Sequence, residues 1–100
     1  MKIRSKKLKQ SAKDQECTLN IVDVCSYDNN TTVLCHINVL KDKGFGVKGS
    51  DLSAAFGCSN CHEHIDSNRL SELDMLFYTR RAILRTINKW IEMGLIDVVS

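Results

Sequence analysis

The sequence contains no proline, one tryptophan and three histidines. Without proline, tight turns must be made by Gly, Asn, Asp and Ser, and stiff extended linkers are excluded. No apolar run approaches the ~18 residues that a membrane-spanning helix needs. The first residues, Met1-Lys2-Ile3-Arg4-Ser5-Lys6-Lys7, have no apolar stretch behind them, which excludes a secretory signal and points to the cytoplasm. Aromatic residues make up 6% of the chain, so a platform of aromatic side chains for stacking bases is not expected. Internal repeats and low-complexity tracts are also lacking.

What is present describes one small domain. At 100 residues, with 43% apolar and 26% charged residues, the composition is that of an ordinary globular chain. A chain this short buries only about 65% of its unfolded surface, so its stability is marginal without help. Help is suggested by five cysteines. That density is high for a reducing compartment, and the odd number is awkward for a disulfide framework, so metal binding is the leading use.

Charge is uneven. Residues 1–13 carry six cations (Lys2, Arg4, Lys6, Lys7, Lys9 and Lys13) and no acid, although the net charge is only +2. The chain therefore divides into a basic N-terminal arm, 1–13, and a single mildly acidic domain, 14–100. Lys6, Lys7 and Lys9 are candidates for phosphate contact; the alternative is a frayed, solvated terminus.

The periodicity predicts an α+β fold. Thr31 to Leu40 reads as the best strand, with Val33, Cys35, Ile37 and Val39 on one face and Leu34, His36, Asn38 and Leu40 on the other. A glycine-containing loop, 41–50, leads to a return strand over 52–57. The segment 18–24, between Cys17 and Cys25, reads as a short strand or hairpin arm. A helix is expected from the Cys58-Ser59-Asn60-Cys61 turn through His62 toward Asp66, interrupted at Ser67-Asn68-Arg69. A long amphipathic helix then starts after the N-cap Ser71 and stops at Gly94. Leu73, Leu76, Phe77, Ile83, Leu84, Ile87, Trp90 and Ile91 are its expected core stripe. Arg81, Arg85 and Lys89 lie on another face, either solvated or contacting phosphate.

Cys17 and Cys25 form one pair and Cys58 and Cys61 another. The second is a C-x-x-C, whose spacing lets two thiolates of one turn reach one ion. Together they suggest a tetrahedral structural Zn²⁺ site that contributes folding free energy. A redox pair or a set of buried free thiols is the competing use. Cys35 is the spare thiol, expected in the core. His36 is either a half-buried strand histidine or a functional one. His62 and Asp66, four apart on a helix, share a face and suit one divalent ion; Asp66 can equally be a solvated helix residue. His64 is expected to be exposed or capping.

The cysteines with seven residues between them, then C-H-I on a strand, G-x-G-x-K-x-x-D-L and C-S-x-C-H-x-x-I-D, resemble the small YbcO-like nucleases of phages and prophages. Those in turn are similar to HNH, or ββα-metal, endonucleases. The motifs span roughly residues 12–66. The resemblance implies a zinc-stabilised ββα-metal core with a long C-terminal helix, and a metal-dependent endonuclease acting on nucleic acid, with DNA expected. It assigns Cys17, Cys25, Cys58 and Cys61 to structural zinc and His36 to the general base. It assigns His62 and Asp66 to a second, catalytic divalent ion such as Mg²⁺ or Mn²⁺. Asp51 falls near the position that orients the base, and Lys48 lies where a phosphate contact is useful. Two positions depart from the pattern. Cys35 precedes the base where His or Asp is common, and Asp51 replaces a central Asn. A catalytically inactive zinc-stabilised DNA-binding or adaptor module is the alternative function.

Overall fold

The computed structural model describes residues 5–37 and 54–96. Its elements are α1 (Lys6–Gln10), a 3₁₀ turn (Asn29–Thr31), β1 (Val33–His36), β2 (Ala54–Gly57), α2 (Ser59–Asp66) and α3 (Glu72–Glu92). Among the described residues, β1 and β2 form an antiparallel pair, with Val33 opposite Gly57 and His36 opposite Ala54. The glycine loop, Lys48, Asp51 and the expected strand ends over 38–40 and 52–53 lie outside the described residues.

Strand alternation gives the pair two working faces. Cys35 and its partner Ala55 face one core with Leu19, Ile21, Ile37, Ile65, Met75 and Ala82. Leu34 and its partner Phe56 face the other, where Leu8, Ala12 and Trp90 collect. All four residues of β2 are buried. Ala54, Ala55 and Gly57 carry little or no side chain, and α3 packs against this strand.

A two-stranded pair leaves the outer edge of β2 with unpaired backbone groups, and burying them uncompensated is costly. Two threonines close that edge. The amide and hydroxyl of Thr18 both donate to the Phe56 carbonyl at 2.8 Å. The Phe56 amide donates to Thr86 Oγ1 at 3.1 Å. The two hydroxyls lie 3.0 Å apart. Because Thr18 has already given its one proton to Phe56, Thr86 must be the donor between them. The result is a closed, fully satisfied circuit inside the protein.

The helix boundaries follow their capping chemistry. Ser71 accepts from the Asp74 amide at the start of α3, and Gly94 ends the helix at φ +75°. The buried face of α3 is only in part the expected apolar stripe: Trp90 is buried, and Ile83 and Ile87 pack against the two cores. Met75, Thr79, Ala82, Thr86 and Trp90 face inward. Leu73 is 79% exposed, and Phe77 and Leu84 are more than half exposed. The β2 surface favours small residues at close approach and a threonine for its edge, so tertiary fit overrides hydrophobicity.

Two further expectations change. Residues 18–24 form no strand: Asn20 and Asp23 adopt left-handed backbone, and the Ile21 carbonyl takes the amides of Val24 and Cys25 in a tight turn. The stretch expected as a mobile arm is anchored over part of its length. Leu8 and Ala12 are buried, and the Trp90 indole donates to Ser11 Oγ at 2.7 Å. Lys6, Lys7 and Lys9 lie on α1 and are exposed.

Candidate metal centre

Four cysteines converge from two unlike pieces of chain. Cys17 and Cys25 flank the left-handed turn, while Cys58 is the N-cap of α2 and Cys61 lies in its first turn. Their sulfurs all lie within 4.8 Å of one another. A Zn–S distance of ~2.3 Å places sulfurs of a tetrahedron about 3.8 Å apart. Cys25 and Cys58 already stand at 3.8 Å, so the donor set fits a tetrahedral ion with little further movement. Cys17, Cys58 and Cys61 are buried and Cys25 is half-buried, which makes the Cys25 side the entry.

Backbone and side-chain donors point at these sulfurs, as expected around thiolate ligands. The Cys61 amide donates to Cys58 Sγ at 3.4 Å, and the Asn20 amide donates to Cys17 Sγ at 3.5 Å. Asn20 Nδ2 reaches Cys25 Sγ at 3.6 Å. Arg85 in turn donates to Asn20 Oδ1 at 3.1 Å, and Arg81 holds the Leu19 carbonyl at 2.9 Å. Two arginines of α3 therefore fix the loop that presents Cys17 and Cys25. Their spacing in the sequence implies only a solvated or phosphate-contacting face. The available signal was Asn20, an αL-tolerant residue three places after a ligand cysteine.

The thiols are unequal. A hydrogen bond from the Cys61 thiol draws the Cys17 thiol down to about 5, and Cys61, as donor, is pushed upward. Burial pushes Cys25 up. Cys35 stands apart: burial raises it to about 12, and its thiol points at the Val33 and Gly57 carbonyls. It is the core thiol that its strand position implied.

The second pair of interest is on α2. His62 Nε2 and Asp66 Oδ2 lie 3.2 Å apart, on a face that remains open to solvent. The contact is an i,i+4 histidine–carboxylate pair one turn apart on the helix. Among the described residues, a group of three or more candidate ligands occurs at the four cysteines. His36 is half-buried at the end of β1, and alternation puts it on the Leu34 side. His64 is partly exposed.

These features define a small α+β protein with a four-thiol centre able to hold a metal ion. The chain belongs to the family described as "Putative nuclease YbcO", whose sequence profile matches residues 6–95. It is 41% identical over 59 residues to the "Putative nuclease YbcO" of Escherichia coli (strain K12) and, equally, to that of Enterobacteria phage 82. Those alignments cover 59% of this chain and 62% of each relative. A solved structure described as "a putative bacteriophage protein" from Escherichia coli K-12 superimposes with a TM-score of 0.69 at 28% identity. It covers 88% of this chain and all of that one. Among the described residues, no helix is long and apolar enough to cross a membrane.

Proposed function

We propose that the protein is a metal-dependent endonuclease of HNH type that hydrolyses phosphodiester bonds, acting on DNA in phage or prophage DNA metabolism. Membership of a family named for nuclease activity supports the reaction class. The observation that carries the site is the His62–Asp66 pair, two donors at 3.2 Å on an open helix face directly beside the four-cysteine turn.

In this reading Cys17, Cys25, Cys58 and Cys61 hold structural Zn²⁺ and thereby fix the start of α2. His62 and Asp66 hold a second ion such as Mg²⁺ or Mn²⁺. When bound, that ion supplies Lewis-acid stabilisation of charge on the phosphate oxygens. His36 accepts a proton from the attacking water at one of its ring nitrogens. The resemblance gives Asp51 the part of orienting the base and Lys48 that of a phosphate contact; both lie outside the described residues. Lys6, Lys7 and Lys9 add sequence-independent attraction that weakens as salt rises.

One observation favours the alternative, a non-catalytic DNA-binding module. Strand alternation puts His36 with Leu34, whereas Ile65 of α2 packs in the core that holds Cys35. Cleavage of plasmid DNA by wild type, His36→Ala and His62→Ala, with Mg²⁺ or Mn²⁺ and with EDTA, separates the two. The nuclease reading expects metal-dependent nicking that both variants lose while retaining zinc. Zinc-loaded wild type that binds DNA at low salt but cuts under neither ion refutes it.

A further inference from the structure

The face of α3 that the fold leaves uncovered has a regular composition. Leu73, Leu76, Phe77, Arg80, Arg81 and Leu84 wall a groove of about 450 Å³. Three of its apolar side chains are more than half exposed: Leu73 at 79%, Phe77 at 57% and Leu84 at 56%. A contiguous apolar surface of this kind marks an interaction site. The set also reads symmetrically about the midpoint between Tyr78 and Thr79. Leu73 and Leu84 are equidistant from it, as are Leu76 and Arg81, and Phe77 and Arg80.

We propose that this face is a two-fold, antiparallel self-association surface occupied by α3 of a second copy of the chain. A two-fold axis through that midpoint sets Leu73 against the partner's Leu84, and Phe77 against the partner's Arg80. Self-complementarity of one patch is the requirement of a two-fold interface. The Arg–Phe pairing is one this surface already makes internally: the Arg81 guanidinium lies 5.1 Å from the Phe77 ring centre and 5.3 Å from that of Tyr78. Charge selects the direction. Asp74 is in the first turn of α3, Arg81 lies next to its middle and Arg85 is in its second half. Antiparallel pairing brings Asp74 beside the other copy's arginines on the same flank, whereas parallel pairing stacks Arg80 on Arg80. The contact spans about twelve residues, roughly 18 Å of helix. That is smaller than the ~800 Å² per partner of a standard stable interface, so the dimer is concentration-dependent. This inference is independent of the nuclease reading.

Sedimentation velocity of the zinc-loaded full chain, from about 10 μM to about 1 mM, covers the range such a small interface populates. A monomer-to-dimer shift is expected, lost throughout that range in Leu84→Glu and in Phe77→Glu with zinc content and circular dichroism unchanged. Both positions are exposed, so folding is spared. Direction is read by cysteine cross-linking. Mixed Leu73→Cys and Leu84→Cys chains are expected to form a disulfide-linked heterodimer more readily than either alone. A chain that stays monomeric to the top of the range, or a dimer indifferent to both glutamate substitutions, overturns the proposal and leaves the groove to a different protein. Self-linking of Leu73→Cys alone overturns the antiparallel arrangement.

Discussion

Gly57→Ala isolates one steric constraint beside the four-cysteine centre. Gly57 ends β2, immediately before Cys58. A methyl group built on it would lie 2.6 Å from Cys35 Sγ and 2.8 Å from Leu19 Cδ1. Ordinary contact between such atoms is about 3.5–4.0 Å, so each is short by roughly 1 Å. Neither neighbour can swing into solvent, because Cys35 and Leu19 are both 0% exposed. The backbone at Gly57 is not in the left-handed region, so alanine brings no conformational strain there. Overpacking of this kind costs about 1–3 kcal/mol. Lower unfolded-state entropy offsets about 0.4–1 kcal/mol of that. A net loss of about 1–2 kcal/mol follows, and for a domain of this size each kcal/mol lowers Tm by about 4–8 °C. Urea unfolding at fixed zinc concentration measures it, since bound metal itself shifts apparent stability. Cys35→Ala removes the nearer obstacle, so the double variant should recover on the order of 1 kcal/mol relative to additivity. A Gly57→Ala protein within about 0.5 kcal/mol of wild type, or strict additivity with Cys35→Ala, refutes the packing argument.

Thr86→Val should cost about 1–3 kcal/mol by stranding the Phe56 amide, with zinc stoichiometry unchanged; urea unfolding and metal analysis check both. Cys61→Ser should lower zinc content and Tm together, and a chelator should reproduce the loss in wild type, because binding and folding are coupled. Cys35 has a pKa raised by burial to about 12 against the ordinary 9.0. Above pH 9 the unfolded chain therefore sheds that proton while the folded one keeps it. The resulting stability is present below pH ~9 and declines as pH rises toward ~12. In Cys35→Ala the alkaline decline measured by urea unfolding should be shallower, and in zinc-loaded wild type Cys35 should resist iodoacetamide at pH 8.

The elements with local chemical markers were legible in the sequence. Ser71 as N-cap, Gly94 as stop, the Cys58 turn opening α2 and the β1–β2 pairing all appear where capping and alternation put them. The four cysteines were legible as a set because ligand chemistry leaves few other uses for such spacing. The inward face of α3 was legible at Trp90 and not at its threonines. Thr79 and Thr86 are buried there because one bonds the Met75 carbonyl and the other closes the edge of β2. Hydrophobic periodicity carries no information about either partner. The docking of Leu8 and Ala12 was also hidden, because a cationic segment with two small apolar positions looks the same whether free or anchored.

The bonds that join distant parts of the chain also set an order in time. Ser11 meets Trp90, and Thr18 meets Thr86. A chain leaving the ribosome exposes Cys17 and Cys25 well before Cys58 and Cys61 exist to complete the tetrahedron. Until α3 emerges, the early segment has neither its hydrogen-bond partners nor the arginines that hold its turn. Closure of both cores, and of the four-cysteine cluster, thus comes late in the synthesis of each molecule. Until then the early pair of thiols stands without the second pair beside it.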